Sequence, residues 1–128
     1  MDSLKFSILE APVTKKNSQQ ILVNHKTGRP FIMPSQRYKT YEKNAEQYMP
    51  QLDEPIDYSI NLKAVFYMPT RRRVDLTNLQ EALCDLLVHY NIIEDDNCKI
   101  VTTMDGSYVG YDKENPRTEV EITRKESE

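Results

Sequence analysis

The chain has only three glycines in 128 residues, and none falls in a G-x-x-x-x-G-K-[ST] pattern, so a phosphate-cradling glycine loop is excluded. It has two cysteines, Cys84 and Cys98, with neither C-x-x-C spacing nor histidines at zinc-finger distance. They read as free thiols in a reducing compartment. The two histidines, His25 and His89, stand alone and read as surface or packing residues. No apolar run approaches membrane-spanning length, and Met1 to Lys5 has no apolar signal core. A cytoplasmic protein without a membrane partner is expected. Excess positive charge is also missing: 17 Lys and Arg against 20 Asp and Glu leave a net charge of −3. Any contact with nucleic acid must then come from local basic patches, at Lys15-Lys16, Arg37 to Lys43 and Arg71 to Arg73.

An apolar fraction of 38% and a charged fraction of 29% fit one small domain with a large solvated surface, one that could complete its core by dimerising. Residues 1–124 are read as that domain and 125–128 as a frayed tail. Leu4 to Leu9 reads as a strand and Pro12 to Asn17 as a loop. Gln20 to His25 and Arg29 to Met33 flank Lys26-Thr27-Gly28 as a hairpin. Ser35 is placed to cap a polar, tyrosine-studded helix over Gln36 to Met49, ended by Pro50. Asp57 to Met68 alternates, with Tyr58, Ile60, Leu62, Ala64 and Phe66 on one face. After a loop at Pro69 to Arg73, the stripe Leu79, Ala82, Leu83, Leu86, Leu87 and Tyr90 predicts a helix over Asn78 to Tyr90. A turn at Asn91 to Asn97 and strands at Lys99 to Met104 and Thr118 to Thr123 follow. The pattern is α+β, a small mixed sheet with two main helices.

The chemistry concentrates at the two ends of the second helix. Arg71-Arg72-Arg73-Val74-Asp75 runs into its start, and Glu94-Asp95-Asp96 follows its end. Thr77 with Gln80 has the spacing of a capping box. One helix needs one N-cap, which leaves Asp75 for another role. A turn needs one Asp or Asn, so three adjacent acids repel one another without evident structural purpose, and a hard divalent cation relieves that repulsion. Asp75, Asp95 and Asp96 are therefore candidate metal ligands, with Mg²⁺ or Mn²⁺ as the ion. Arg71, Arg72 and Arg73 could hold a phosphate beside them or neutralise them. Lys15, Lys16 and Asn17 form a smaller patch. Asn78, Glu81 and Asp85 share a helix face that is solvated by default. A calcium loop is excluded, since the required glycine and distal glutamate are missing after Asp75.

Arg-Arg-Arg-Val-Asp-Leu-Thr-Asn-Leu, the Ala-Leu-x-Asp-Leu-Leu helix (Ala82 to Leu87) and Ile-Ile-Glu-Asp-Asp-Asn together resemble the RusA family of Holliday-junction resolvases. Pro12 to Asn17 and the chain length are similar too. The resemblance implies an α+β homodimer of bacterial or bacteriophage origin that nicks four-way DNA junctions in recombination and repair, using Mg²⁺. It implies Asp75 and Asp96 as catalytic residues, while the patches Lys15, Lys16, Asn17 and Arg71 to Arg73 are the candidate DNA-binding residues. The chain departs from the family pattern at Thr77, where an aspartate is usual, and at Glu81, where a lysine is expected. Those departures leave open a junction-binding module that has lost catalysis. A protein-interaction domain with an incidental acid cluster is a third reading.

Overall fold

A computed structural model describes residues 3–15, 19–34 and 36–125. Strands β1 (Ser3–Ile8), β4 (Ile60–Met68) and β7 (Arg117–Arg124) form the body of the main sheet. Strand β7 runs antiparallel to both β1 and β4. The other edge of β4 is shared by two short parallel strands. Strand β5 (Val101–Thr103) pairs near Ile60, and β6 (Tyr108–Tyr111) pairs with Val65 to Met68. Strands β2 (Gln19–Val23) and β3 (Pro30–Pro34) form a separate antiparallel hairpin. The expected mixed sheet is present.

The alternation expected of β4 is observed: Ile60, Leu62, Ala64 and Phe66 are all buried. They join Val120 and Ile122 of β7, and Ile8 of β1, in one apolar cluster. Helix α1 (Gln36–Ala45) contributes Tyr38, Tyr41 and Ala45, while α2 (Leu76–His89) contributes Leu79, Ala82, Leu83, Leu86 and Leu87. Both helices therefore cover the same sheet face. The Tyr90 hydroxyl donates to the Glu42 carbonyl and ties the end of α2 to α1.

Several boundaries differ from the sequence reading. Strand β4 starts at Ile60, and Tyr58 before it is only half-buried, stacked under Arg124 at 4.3 Å. Helix α1 stops at Ala45 and tightens into a 3₁₀ turn at Glu46–Tyr48. The cause is Pro50, which pushes Met49 to an extended conformation (ψ 131°). The strand expected over Lys99 to Met104 shrinks to three residues because Asn97 folds the chain first, accepting the N–H groups of Ile100 and Val101 at 3.0 and 2.9 Å. Strand β6 was not anticipated. Asn61 fixes the turn before it, accepting the Asp105 N–H at 2.8 Å and donating to its carbonyl at 3.1 Å. Lys125, expected to fray, donates its N–H to Ser59 at 2.9 Å. Ser35, expected as a helix cap, and residues 126–128 lie outside the described residues.

The end of α2 determines where the acid loop emerges. Asn91 has φ of 60°, a left-handed conformation that closes the helix. Its N–H reaches the Val88 carbonyl at 3.1 Å, and the Ile92 N–H reaches Leu87 at 2.8 Å, a Schellman pair. This reversal buries Ile92 and Ile93 completely, and Glu94 N–H then bonds the Ile56 carbonyl at 2.9 Å. Asn91→Val should therefore destabilise the fold by about 1–2 kcal/mol, the cost of a left-handed non-glycine residue. The melting temperature should fall by about 4–8 °C. Asn91→Gly should melt no lower than wild type. Equal melting of the valine and glycine variants in a thermal scan would show that this turn does not carry the loop.

Candidate active site

Asp75 stands at the N-cap of α2. Its carbonyl accepts the N–H groups of Asn78 and Leu79 at 3.1 and 3.2 Å. Its carboxylate caps nothing; Asn78 Nδ2 approaches Oδ2 at 3.4 Å. The capping box expected from Thr77 and Gln80 is absent among the described residues. The helix has already begun at Leu76, so Thr77 lies inside the first turn, exposed. The capping role thus falls to the Asp75 backbone alone. The carboxylate is left exposed where the helix dipole favours negative charge.

At the other end, Asp95 and Asp96 have adjacent side chains but different surroundings. Asp95 Oδ1 accepts the Asp96 N–H at 2.8 Å, and Oδ2 accepts Asn97 Nδ2 at 3.0 Å. These bonds hold Asp95 below the usual carboxylate range. Asp96 is pushed above that range, first by partial burial and then by the hydrogen bond and charge of Asp95, with Asp85 adding to it. One carboxylate of the pair builds the turn, and the other is left with its charge opposed.

The acid neighbourhood extends onto the flank of α2. Cys84 is buried, and its thiol is pushed up to about 12, first by burial and then by Asp96, Asp85 and Glu81. It is an inert thiol. Asp85 meets Lys15 at 3.5 Å, and the Lys15 ammonium also lies 5.7 Å from the Tyr38 ring centre. Lys15 is therefore engaged by an acid of α2, while Lys16 and Asn17 lie outside the described residues.

The arginine run divides. Arg71 stacks over Tyr111 of β6 at 4.2 Å. Arg72 and Arg73 line a cleft that also takes in Arg37, in the first turn of α1. The sequence reading placed Arg37 in a basic patch but gave it no place in the site, because no spacing in the sequence shows that α1 begins beside the β4–α2 loop.

Two adjacent carboxylates with opposed ionisation suit a hard divalent ion. Among the described residues, however, no group of three or more His, Cys, Asp or Glu is gathered to hold a metal. That is compatible with Mg²⁺, which keeps several waters and takes one or two protein carboxylates plus substrate phosphate. The residues present fit such an open site. They do not form a closed cage.

A family model described as Endodeoxyribonuclease RusA matches residues 11–123. The chain belongs to the RusA family. A relative named "Crossover junction endodeoxyribonuclease RusA", from Aquifex aeolicus (strain VF5), is 28% identical over 102 residues, covering 76% of this chain and 75% of that protein. The RusA match begins before Lys15 and ends beyond Asp96, so it takes in both acid positions and the arginine run. No helix among the described residues is long and apolar enough to cross a membrane.

The unequal acid pair makes a stability prediction. Asp96 has a raised folded-state pKa, so its ionisation costs stability that is present at low pH and lost as pH rises through that value. Asp95 is depressed, so its contribution is present above its unfolded value and lost as pH falls. Asp96→Asn should therefore raise the melting temperature at neutral pH and leave it unchanged near about pH 3, where carboxylates are largely protonated. Asp95→Ala should lower the neutral-pH melting temperature. If Asp96→Asn melts below wild type at neutral pH, the assigned asymmetry is wrong.

Proposed function

We propose that this protein is a Mg²⁺-dependent, structure-specific DNA endonuclease that resolves four-way junctions by paired nicks in recombination and repair. The RusA membership supports the nuclease class. The observation that carries the site is the Asp95–Asp96 pair, in which Asp95 builds the turn and Asp96 keeps a carboxyl group whose charge is opposed by partial burial and by Asp95. Asp75 and Asp96 are the catalytic carboxylates in this reading, and Asp95 both shapes the turn and joins the ligand set. Mn²⁺ would serve the same oxygen ligands. When bound, the divalent ion supplies a Lewis acid beside the phosphodiester and a more acidic water for attack.

The chain's own residues do the positioning. Asp75 presents its carboxylate from the start of α2, and the buried Ile92-Ile93 pair anchors the chain just before the acid loop. Arg71 to Arg73 and Lys15 supply cations for the phosphate backbone, and Lys16 and Asn17 extend that surface in sequence. Such contacts fix orientation without reading bases, so junction shape becomes the recognised feature. A homodimer would set two sites against the two opposing strands of a two-fold junction. Action on chromosomal or phage DNA accords with a cytoplasmic setting.

The second reading is a junction-binding module with weak or no catalysis. It is favoured by Thr77, which adds no carboxylate to the first turn, and by the absence of a three-donor cluster among the described residues. Cleavage of a synthetic four-way junction decides between the two. The endonuclease reading requires symmetric nicks with Mg²⁺ and none in EDTA; binding without nicks under any divalent ion would establish the module instead. Asp75→Asn and Asp96→Asn should each slow nicking by about a hundredfold or more, the scale for losing one preorganised electrostatic contact. Junction binding should persist in both. A variant that cuts at the wild-type rate removes that residue from the site.

Thr77→Asp probes the same deficit from the other side. The position is exposed in the first turn, where an acid is favoured by the helix dipole. The added carboxylate should increase stabilisation by Mg²⁺ and speed nicking at limiting metal. A thermal-melt titration beside a cleavage time course reads both effects. If neither changes, the ligand set does not extend to this turn.

A further inference from the structure

Arg37, Arg72 and Arg73 line one cleft of about 460 Å³ together with Thr14, Thr70 and Val74. The volume falls in the range of small-ligand sites. No Asp or Glu contributes to its walls. Among the described residues, none of the three guanidinium groups enters an ion pair, although Lys5, Lys15 and Arg117 all do. All three arginines are exposed, and like charges around a shared space repel one another. Arg37 is carried by the first turn of α1, which is docked through the buried Tyr38, and Arg72 and Arg73 by the short loop from β4 to α2.

An anion relieves that repulsion, and the donors specify which kind. Three planar forks offer more N–H groups than a two-oxygen carboxylate accepts, and they match the oxygens of a phosphate. The Thr70 hydroxyl oxygen accepts the Arg72 N–H at 3.4 Å, leaving its own proton to donate. The position follows from the chain. Val74 lines the cleft and directly precedes Asp75, so the two Cα atoms are about 3.8 Å apart. A phosphate in the cleft sits beside the acid site without occupying it.

We infer that this cleft seats a DNA backbone phosphate flanking the one that reacts, with Arg37 as the contribution of α1 to strand positioning. The inference rests on the endonuclease reading and adds a subsite to it.

The test pairs Arg37→Ala with a four-way junction in which single phosphates near the cut are replaced, one at a time, by uncharged methylphosphonates, bound in EDTA across a salt series. In wild type, neutralising one flanking phosphate should weaken binding severalfold. Arg37→Ala should show the same weakening with normal DNA and no further loss at that one position. The log–log salt slope should fall by about one unit in the variant. Arg37→Lys, which keeps the charge and loses the fork, should recover the slope and only part of the affinity. Lys113→Ala, an equal loss of charge outside the cleft, should leave the pattern of sensitive phosphates as in wild type. If Arg37→Ala remains as sensitive as wild type at every flanking phosphate, the subsite is overturned while the endonuclease reading stands. If wild type binds no junction at all, both fall.

Discussion

The packing of α2 against β4 is the contact on which the candidate site depends. Leu79, Leu86 and Leu87 are almost fully buried over Ile60, Leu62 and Phe66, and the same cluster takes in Ile92 and Ile93 just beyond the helix. Fully burying an aliphatic side chain contributes about 1.5–3 kcal/mol. The two isoleucines therefore outweigh the left-handed turn at Asn91, which costs about 1–2 kcal/mol at most for a non-glycine residue. The chain consequently reverses at Asn91 and brings Glu94-Asp95-Asp96 back along α2. Without that reversal, Asp96 would have no fixed relation to Cys84 and Asp85 on the flank of the helix.

Charge is sorted into two unbalanced zones on this frame. Asp96, Asp85 and Glu81 act together on the Cys84 thiol, and among the described residues Lys15 pairs with this zone through Asp85. Arg37, Arg72 and Arg73 gather around a cleft with no acid in its walls. Elsewhere the protein pairs its charges readily, as Arg117 does with Asp112 at 2.9 Å and Glu119 at 3.0 Å. The contrast matters because simple proximity would have let the arginines and acids neutralise each other across the short stretch from Arg73 to Asp75. Each zone instead keeps a deficit, one for a cation and one for an anion. The proposed substrate, a phosphodiester accompanied by a divalent ion, would meet both.

Much of this was legible in the sequence where one local rule acted alone. Strict alternation identified β4, the helical stripe identified α2, and Lys26-Thr27-Gly28 marked the hairpin turn. Clustered acids and arginines marked both ends of α2. The failures occur where local rules competed. Thr77 and Gln80 had capping-box spacing, but the Asp75 carbonyl started the helix first. The apolar run after Lys99 looked like a strand, yet Asn97 turned the chain before it. Strand β6 contains only four residues, and its Asp105-Gly106 turn is held by Asn61, a partner 44 residues away. Arg37 was hidden for the same reason, since its neighbours in the cleft come from the distant β4–α2 loop.

The N-cap at Asp75 leaves its side chain without a capping bond. An N-cap aspartate that bonds a first-turn N–H is worth about 0.5–2 kcal/mol over alanine. Asp75 occupies the position yet makes no such bond, and its carboxylate remains exposed next to the arginine loop. Asp96 makes a parallel sacrifice, since it stands beside Asp95 with its ionisation opposed by burial and by its neighbour. Asp96 is less favourable for the fold than an uncharged residue would be. The structural roles nearby are filled without their side chains: the Asp75 carbonyl starts the helix, and Asp95 builds the turn. In the proposed reading these two carboxylates, left without a structural task by the fold, would supply oxygen ligands to an open divalent-ion site.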